Sequence, residues 1–475
     1  MTTGNVQDIG SDRQLFVDEH WIAESRDVTR VLHEPVRREA AIEKDYPWEA
    51  GLLGLSTTAF DGEKYRMWYF CDDASIIGVA NFNLKRKAYA ESEDGINWVK
   101  PFLYKEEFEG SKENNLLSLN PQHPSIDINP DAKENERFKG FKGGLRYPGK
   151  PNDKEQALYA AASPDGINWH LMSEEPIFTG PPFDSKNLFF WDKWTGQYRA
   201  YTRGVANNDP NVDPTTVKSQ AGHEWKGGVR WIRWSTSPDF KTWTPLEDID
   251  CGDTPYEHLY MNECWPYDRA PGTYLMFPSR YVAHRTPDPD WFDGPGVNDI
   301  VFMSSRDGVH FDRSFMEAFV RPGPDPDNWH ERSVYITRGI LQNSSTEMSL
   351  YGREHSSLSD VHFLRYSLRT DGFVSINGGH GGGEVLTRPV VFDGGELEVN
   401  YSTSAVGSLR VELQDASGRP IPGFSMDDCP DHFGDEIEGV VKWSSGVSLS
   451  TLAGSPVRVR FAFKDADLYA FKFNS

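Results

Sequence analysis

Four carboxylates and three arginines sit beside aromatic, strand-like runs, and their neighbours suit them to chemistry on a sugar. Glu49 follows Trp48 just ahead of the run 51–60, and Asp127 closes His123-Pro-Ser-Ile-Asp127. Asp184 precedes Lys186 and Asn187, and Glu263 follows Asn262 in Met261-Asn-Glu-Cys-Trp265. Each is expected at or near the start of an innermost strand. The chain holds 72 Asp and Glu residues, so the recurrence at strand starts matters more than any single acid. Paired carboxyls perform general acid, base or nucleophile work at a glycosidic bond. Arg203, Arg280 and Arg353 end Tyr-Thr-Arg, Pro-Ser-Arg and Tyr-Gly-Arg at equivalent places in three strand pairs. Arginine's planar fork of donors suits an anion or several hydroxyls.

Roles follow from the neighbours. Partial burial near Trp265 is expected to raise the pKa of Glu263 and make it the acid. Asp184, beside Lys186 and Asn187, is expected to stay ionised as base or nucleophile, unless Glu49 takes that part. Trp48, Asn187, Arg203, Asn262, Arg280, Arg353 and His355 are the expected substrate contacts. His258 and His355 fall near the same face, but no His-x-x-His or comparable ligand set exists, so no metal is expected. No Gly-rich phosphate loop or Gly-x-Ser-x-Gly elbow is present, and no cofactor is expected.

The elements that must hold these residues are read from a repeat. Ser92-x-Asp94-Gly95-x-x-Trp98 returns as Ser163-x-Asp165-Gly166-x-x-Trp169, Ser237-x-Asp239-Phe240-x-x-Trp243 and Ser305-x-Asp307-Gly308-x-x-Phe311. A degraded copy is Thr370-Asp371-Gly372-Phe373. The copies lie roughly 70 residues apart, the mark of a repeat architecture. Asp-Gly makes a tight hairpin because Gly accepts positive φ and Asp caps its own backbone. A turn repeated in every unit is scaffold, so these boxes are not read as catalytic. Strands rich in Tyr, Trp and Phe flank each copy, for example Tyr65-Arg-Met-Trp-Tyr69 and Tyr198-Arg-Ala-Tyr201. About four short strands per copy, five times over, predict an all-β fold, a five-bladed β-propeller.

Residues 1–372 are assigned to that propeller, with a strand in 11–25 expected to complete the last blade. After Gly372 the pattern breaks at Gly378-Gly-His-Gly-Gly-Gly383, and alternating strands follow. Residues 373–475 are assigned to a C-terminal β-sandwich that packs on the propeller. The net charge of −23 argues against nucleic acid. No apolar run approaches a membrane span. The start of the chain lacks a basic segment followed by an apolar one, and Cys71, Cys251, Cys264 and Cys429 show no Cys-x-x-Cys spacing. A cytoplasmic protein is therefore expected.

The repeated Ser-x-Asp-Gly-x-x-Trp, the strands such as Tyr65–Tyr69 and the inner-strand carboxylate per blade resemble the five-bladed propeller glycoside hydrolases. These are the invertase/levanase and arabinanase/β-xylosidase superfamily. The resemblance implies an exo-acting glycoside hydrolase acting on an oligosaccharide. It also implies a nucleophile or base from blade one, a supporting Asp from blade two and an acid Glu from blade three. Glu49 and Asp127 match the first two by position. The invertase Trp-Met-Asn-Asp-Pro and Arg-Asp-Pro motifs are absent. Glu263-Cys264 is similar to the invertase Glu-Cys pair but falls in the expected fourth blade, while the third offers Asp184. The arginines keep a carboxylated, sialidase-like substrate open. The alternative from another class is a propeller that binds carbohydrate or protein without catalysis.

Overall fold

The computed structural model describes residues 6–73, 86–119, 121–146, 155–180, 183, 186–207, 228–282, 285, 296–330, 333–356 and 358–474. Within these the protein is built almost entirely of strands joined by turns and short 3-10 turns. Five sets of antiparallel sheet follow one another. The first pairs Leu52–Phe60, Tyr65–Asp72 and Arg86–Ser92. The second runs from Gln122–Ile126 through Phe138–Arg146 and Glu155–Ser163 to His170–Leu171. The third holds Leu188–Asp192, Gln197–Asn207, Gly228–Ser237 and Glu247–Asp248. The fourth is split into two sheets that begin at His258–Leu259 and Trp265–Pro266. The fifth orders Tyr335–Ile336, Glu347–Glu354, His362–Arg369 and Val36–Ile42. Each set touches the next and the fifth touches the first, which closes a β-propeller.

The strand that completes the fifth set is Val36–Ile42, not one from the segment 11–25. An outermost strand faces solvent, so Val-Arg-Arg-Glu-Ala-Ala-Ile shows little alternation, and of these residues only Ile42 is fully buried. Its charges are matched across the sheet: Arg37 pairs with Glu354 and Glu39 with Arg365. The earlier strands go elsewhere. Ile22–Arg26 pairs with Gly383–Thr387, Val28–Leu32 with Val374–Gly378, and Gln14–Leu15 with the C-terminal strand.

In the C-terminal unit two long strands, Glu396–Gln414 and Arg458–Asn474, run the length of the sheet. Their register breaks between Thr403 and Ser408, where the pair folds over on itself. Gly407 is needed there, because a Cβ would stand 2.5 Å from the Asp465 carbonyl oxygen. The two layers so formed enclose Phe16, Trp21, Leu397, Val411, Phe461 and Phe471, the arrangement of a sandwich whose strands switch layers at a bend. Its junction with the propeller is apolar, with Leu15, Val17 and Ala470 packed among Tyr267, Phe277 and Phe373. Asp371, in the degraded box, lies buried beside it. It accepts from Tyr267 Oη at 2.5 Å and Arg269 at 2.9 and 3.1 Å, and pairs with Arg13 at 3.4 Å.

The boxes are hairpins that staple neighbouring sheets. Asp94 Oδ1 accepts from the amides of Ile96 and Asn97, and Ser92 Oγ from that of Gly95. In three of the boxes the freed carbonyl is taken by an aromatic of the preceding sheet. Trp68 Nε1 donates to Gly166 O at 2.7 Å, Tyr201 Oη to Gly308 O at 2.7 Å, and Tyr351 Oη to Gly95 O. Phe240 replaces glycine in the third box at φ +63°. Its ring packs 4.4 Å from Phe189 and stacks on Phe141, which offsets the strain of the left-handed backbone.

Candidate functional site

The inner strands deliver a buried charged cluster to the centre of the ring. Lys186 and Asn187 stand just ahead of Leu188–Asp192, Glu263 between the two pieces of the fourth set, and Arg338 just after Tyr335–Ile336. Lys186 Nζ pairs with Glu263 Oε1 and donates to Ile336 O at 2.9 Å. Asn262 fixes the pair, donating from Nδ2 to Lys186 O at 3.2 Å and accepting from Cys264 N at 3.3 Å. Glu263 itself sits in the left-handed region at φ +44°, a strained position of the kind that collects at functional sites. Its Oε2 takes no hydrogen bond from the described residues.

Electrostatics make this carboxyl unusual. Burial pushes Glu263 up, against the pull of Lys186 and then Arg338, to about 7. Burial likewise pushes Lys186 down, opposed by Glu263, and lowers Arg338 to about 10. Two more basic side chains stand near. Lys87 is fully buried with Nζ 3.9 Å from the Phe70 ring centre, and burial followed by Lys186 holds it well below an ordinary lysine. His123 contacts Thr57 Oγ1 at 3.2 Å and is pushed well down by burial and the neighbouring cations. Among the described residues one carboxyl thus stands among several basic groups, and a carboxyl pushed toward neutrality is suited to proton transfer.

The other expected residues divide. Arg203 lies over Tyr260 at 5.3 Å and Arg353 over Tyr335 at 4.9 Å, and the two tyrosine rings are 6.1 Å apart. Asn187 joins them, accepting from Arg203 N at 3.3 Å and donating to Gln122 Oε1 at 3.0 Å. Arg280 is held in its own network by Asp299 at 2.5 Å and Glu257 at 3.1 Å. Glu49 is enclosed by Tyr69 Oη at 2.5 Å, Lys100 Nζ at 2.8 Å and Asp45 N at 3.0 Å. Trp48 stacks on Tyr46 and donates to Asn115, in the core of the first sheet. Asp127 does not stand at a strand start: the five-residue strand Gln122–Ile126 ends just before it. There it binds Lys139 and accepts from Tyr198 Oη at 2.7 Å. Asp184 lies outside the described residues.

His355 is clamped by Asp360 at 2.7 Å and Asp325 at 3.0 Å. Burial would lower its pKa, but those hydrogen bonds raise it. Asp325, Asp327 and His355 bring ligand atoms within 4.8 Å of one another, yet both His355 nitrogens are engaged by carboxylates. Arg338 and His123 were not legible as site residues, since His123 sits in an ordinary strand run and Arg338 just after a two-residue strand. Lys87 was not legible either, since the run Lys87-Ala-Tyr-Ala is buried on both faces.

No protein-family model matches the chain, and no curated protein matches it in sequence. Its structure is similar to that of solved proteins at low identity. One is a glycoside hydrolase, with 12% identity, 71% of this chain and 92% of that chain covered, and a TM-score of 0.46. A second is a family 43 arabinoxylan arabinofuranohydrolase from Bacillus subtilis in complex with cellotetraose, with 13% identity, coverage of 90% and 96%, and a TM-score of 0.39. A third comes from work on the GH130 family of mannoside phosphorylases and its hydrolases of β-1,2 mannosidic linkages. It has 14% identity, coverage of 74% and 96%, and a TM-score of 0.40.

Proposed function

We propose that the chain is a glycoside hydrolase in which Glu263 is the catalytic acid. The observation that carries this reading is a buried carboxyl with a lysine on one oxygen and, among the described residues, no hydrogen bond on the other, its pKa pushed up by burial to about 7. A carboxyl held protonated near neutrality can deliver its proton to a leaving-group oxygen. Lys186 positions it, and the proton returns from water after cleavage. Asp184 is the proposed base or nucleophile, because it stands two residues ahead of Lys186 in the sequence. Arg203 and Arg353, each over a tyrosine, offer donors and ring faces to sugar hydroxyls and C–H groups. A carboxyl enclosed at the ring centre favours the end of a sugar chain over its middle, hence exo-acting cleavage of an oligosaccharide.

The test is turnover of a panel of plant and microbial oligosaccharides and aryl glycosides by wild type and Glu263→Gln. Release of one terminal sugar by wild type, with the variant slower by about 10²–10⁴-fold, supports the reading. Binding of the same sugars without turnover would instead mark a carbohydrate-binding propeller.

A further inference from the structure

A separate cavity of about 400 Å³ opens at the rim where the first and second strands of the sheets turn. None of Glu49, Asp127, Glu263, Arg203, Arg280 or Arg353 lines it. Its walls include Trp191, Trp194 and Trp265, each half-buried, and Arg338 lies against it. That volume suits a small ligand, and ligand cavities of this kind join apolar walls to a few polar groups.

The charges around the cavity are decisive. Asp61 is paired with Arg66 at 2.6 Å, Lys193 with Asp268 at 2.8 Å and Arg269 with Asp371 at 2.9 Å. Arg338 is the exception among the charged residues that line it. It is fully buried, and its Nη2 donates to Phe189 O at 2.6 Å and Ser125 Oγ at 3.3 Å. Its Nε and Nη1 have no hydrogen-bond partner among the described residues, and its guanidinium lies 5.1 Å from the Trp265 ring centre. Glu263, the acid that acts on it electrostatically, is already in contact with Lys186. A buried guanidinium with no carboxylate in contact among the described residues is costly to keep, and a bound anion offsets that cost.

We propose that this cavity is a second carbohydrate site, one that Glu263 does not line and that shares Arg338 with the cluster around Glu263, and that it takes a mono- or disaccharide whose sugar ring bears a carboxylate. The indole faces stack on the C–H face of the ring, and Arg338 receives the carboxylate by charge-assisted hydrogen bonds. The site binds and transfers no group.

The experiment is a titration of the full chain at pH 7 with D-glucuronate and D-galacturonate, read by tryptophan fluorescence and calorimetry. D-Glucose, D-galactose and acetate serve as the uncharged ring and the ringless anion. The expected result is saturable binding of at least one uronate, about tenfold or more tighter than its neutral counterpart and than acetate. Arg338→Gln and Trp265→Leu should each weaken it at least about tenfold, with wild-type circular dichroism as the folding control. If Arg338→Gln does not fold, Trp265→Leu alone reads the site. Glu263→Gln should retain uronate binding, so loss of turnover and loss of this site are separable. The proposal is overturned by no saturable uronate binding, by equal affinity for the neutral sugars or acetate, or by binding that Glu263→Gln abolishes and Trp265→Leu leaves intact.

Discussion

Replacing Lys186 by Met tests whether Glu263 owes its titration to its ion-pair partner. Both side chains are enclosed, with 0% and 1% exposure, and they are in direct contact. Burial raises Glu263 to about 7 while Lys186 pulls it down. An opposite charge in contact lowers a carboxyl by ~1–3 units, and a unit corresponds to ~1.4 kcal/mol. Removing the ammonium should therefore raise Glu263 by ~1–3 units, or ~1.4–4 kcal/mol in favour of the protonated form. Losing the hydrogen bond to Ile336 O costs a further ~1 kcal/mol of stability. The assay is the pH dependence of kcat/KM on the best substrate. Activity that needs a protonated acid falls on a basic limb, expected near 7 in wild type and at least about one unit higher in Lys186→Met. Infrared spectroscopy of the carboxyl band reads the same titration without turnover. A limb that stays in place or moves down, with an unmoved carboxyl band, refutes the reasoning.

Folding raises Glu263 from 4.5 to about 7, so between those values the native state holds a proton that the unfolded chain has released. The resulting stability is complete below the unfolded value and is lost as pH rises through the folded one, a fall of about 3 kcal/mol. Urea unfolding at about pH 4.5 and pH 8 should show that fall in wild type and a smaller one in Glu263→Gln. Asp371→Ala leaves Arg13, Arg269 and Tyr267 facing an empty buried site. It should cost ~3–5 kcal/mol, read by calorimetry as a lowered Tm. Asp165→Ala removes the acceptor for two turn amides, Ile167 N at 2.9 Å and Asn168 N at 2.7 Å. It should cost ~1–2 kcal/mol and leave kcat/KM unchanged, since the box is scaffold.

The features legible in the sequence were those with a local signature. The Asp-Gly boxes announced hairpins because Ser92, Asp94 and Gly95 satisfy one another within a few residues. The aromatic strands between them announced sheets. Long-range partnership was not legible. Val36–Ile42 shows no strand signal of its own, because the charges that pair with it come from Glu354 and Arg365, more than three hundred residues away. The ion-pair partners of the carboxylates were not legible either: Glu49 meets Lys100 and Asp127 meets Lys139, while Glu263 meets Lys186 and leaves one oxygen without a hydrogen bond from the described residues. The neighbours of Glu263 suggested a raised pKa, and burial supplies it. Nothing beside Arg338 in Ile336-Thr-Arg-Gly339 foretold a buried guanidinium, because its surroundings come from Ser125, Phe189 and Trp265 on other sheets.

The most direct test of the central claim uses leaving groups. A general acid matters most when the departing oxygen is a poor leaving group and least when it departs unaided. Glu263→Gln should be assayed on glycosides of the preferred sugar that carry either a strongly activated dinitrophenyl group or an alkyl group. The expected loss is about 10²–10⁴-fold for the alkyl glycoside and small for the dinitrophenyl one. An equal loss on both, or none on either, with circular dichroism unchanged, contradicts Glu263 as the acid.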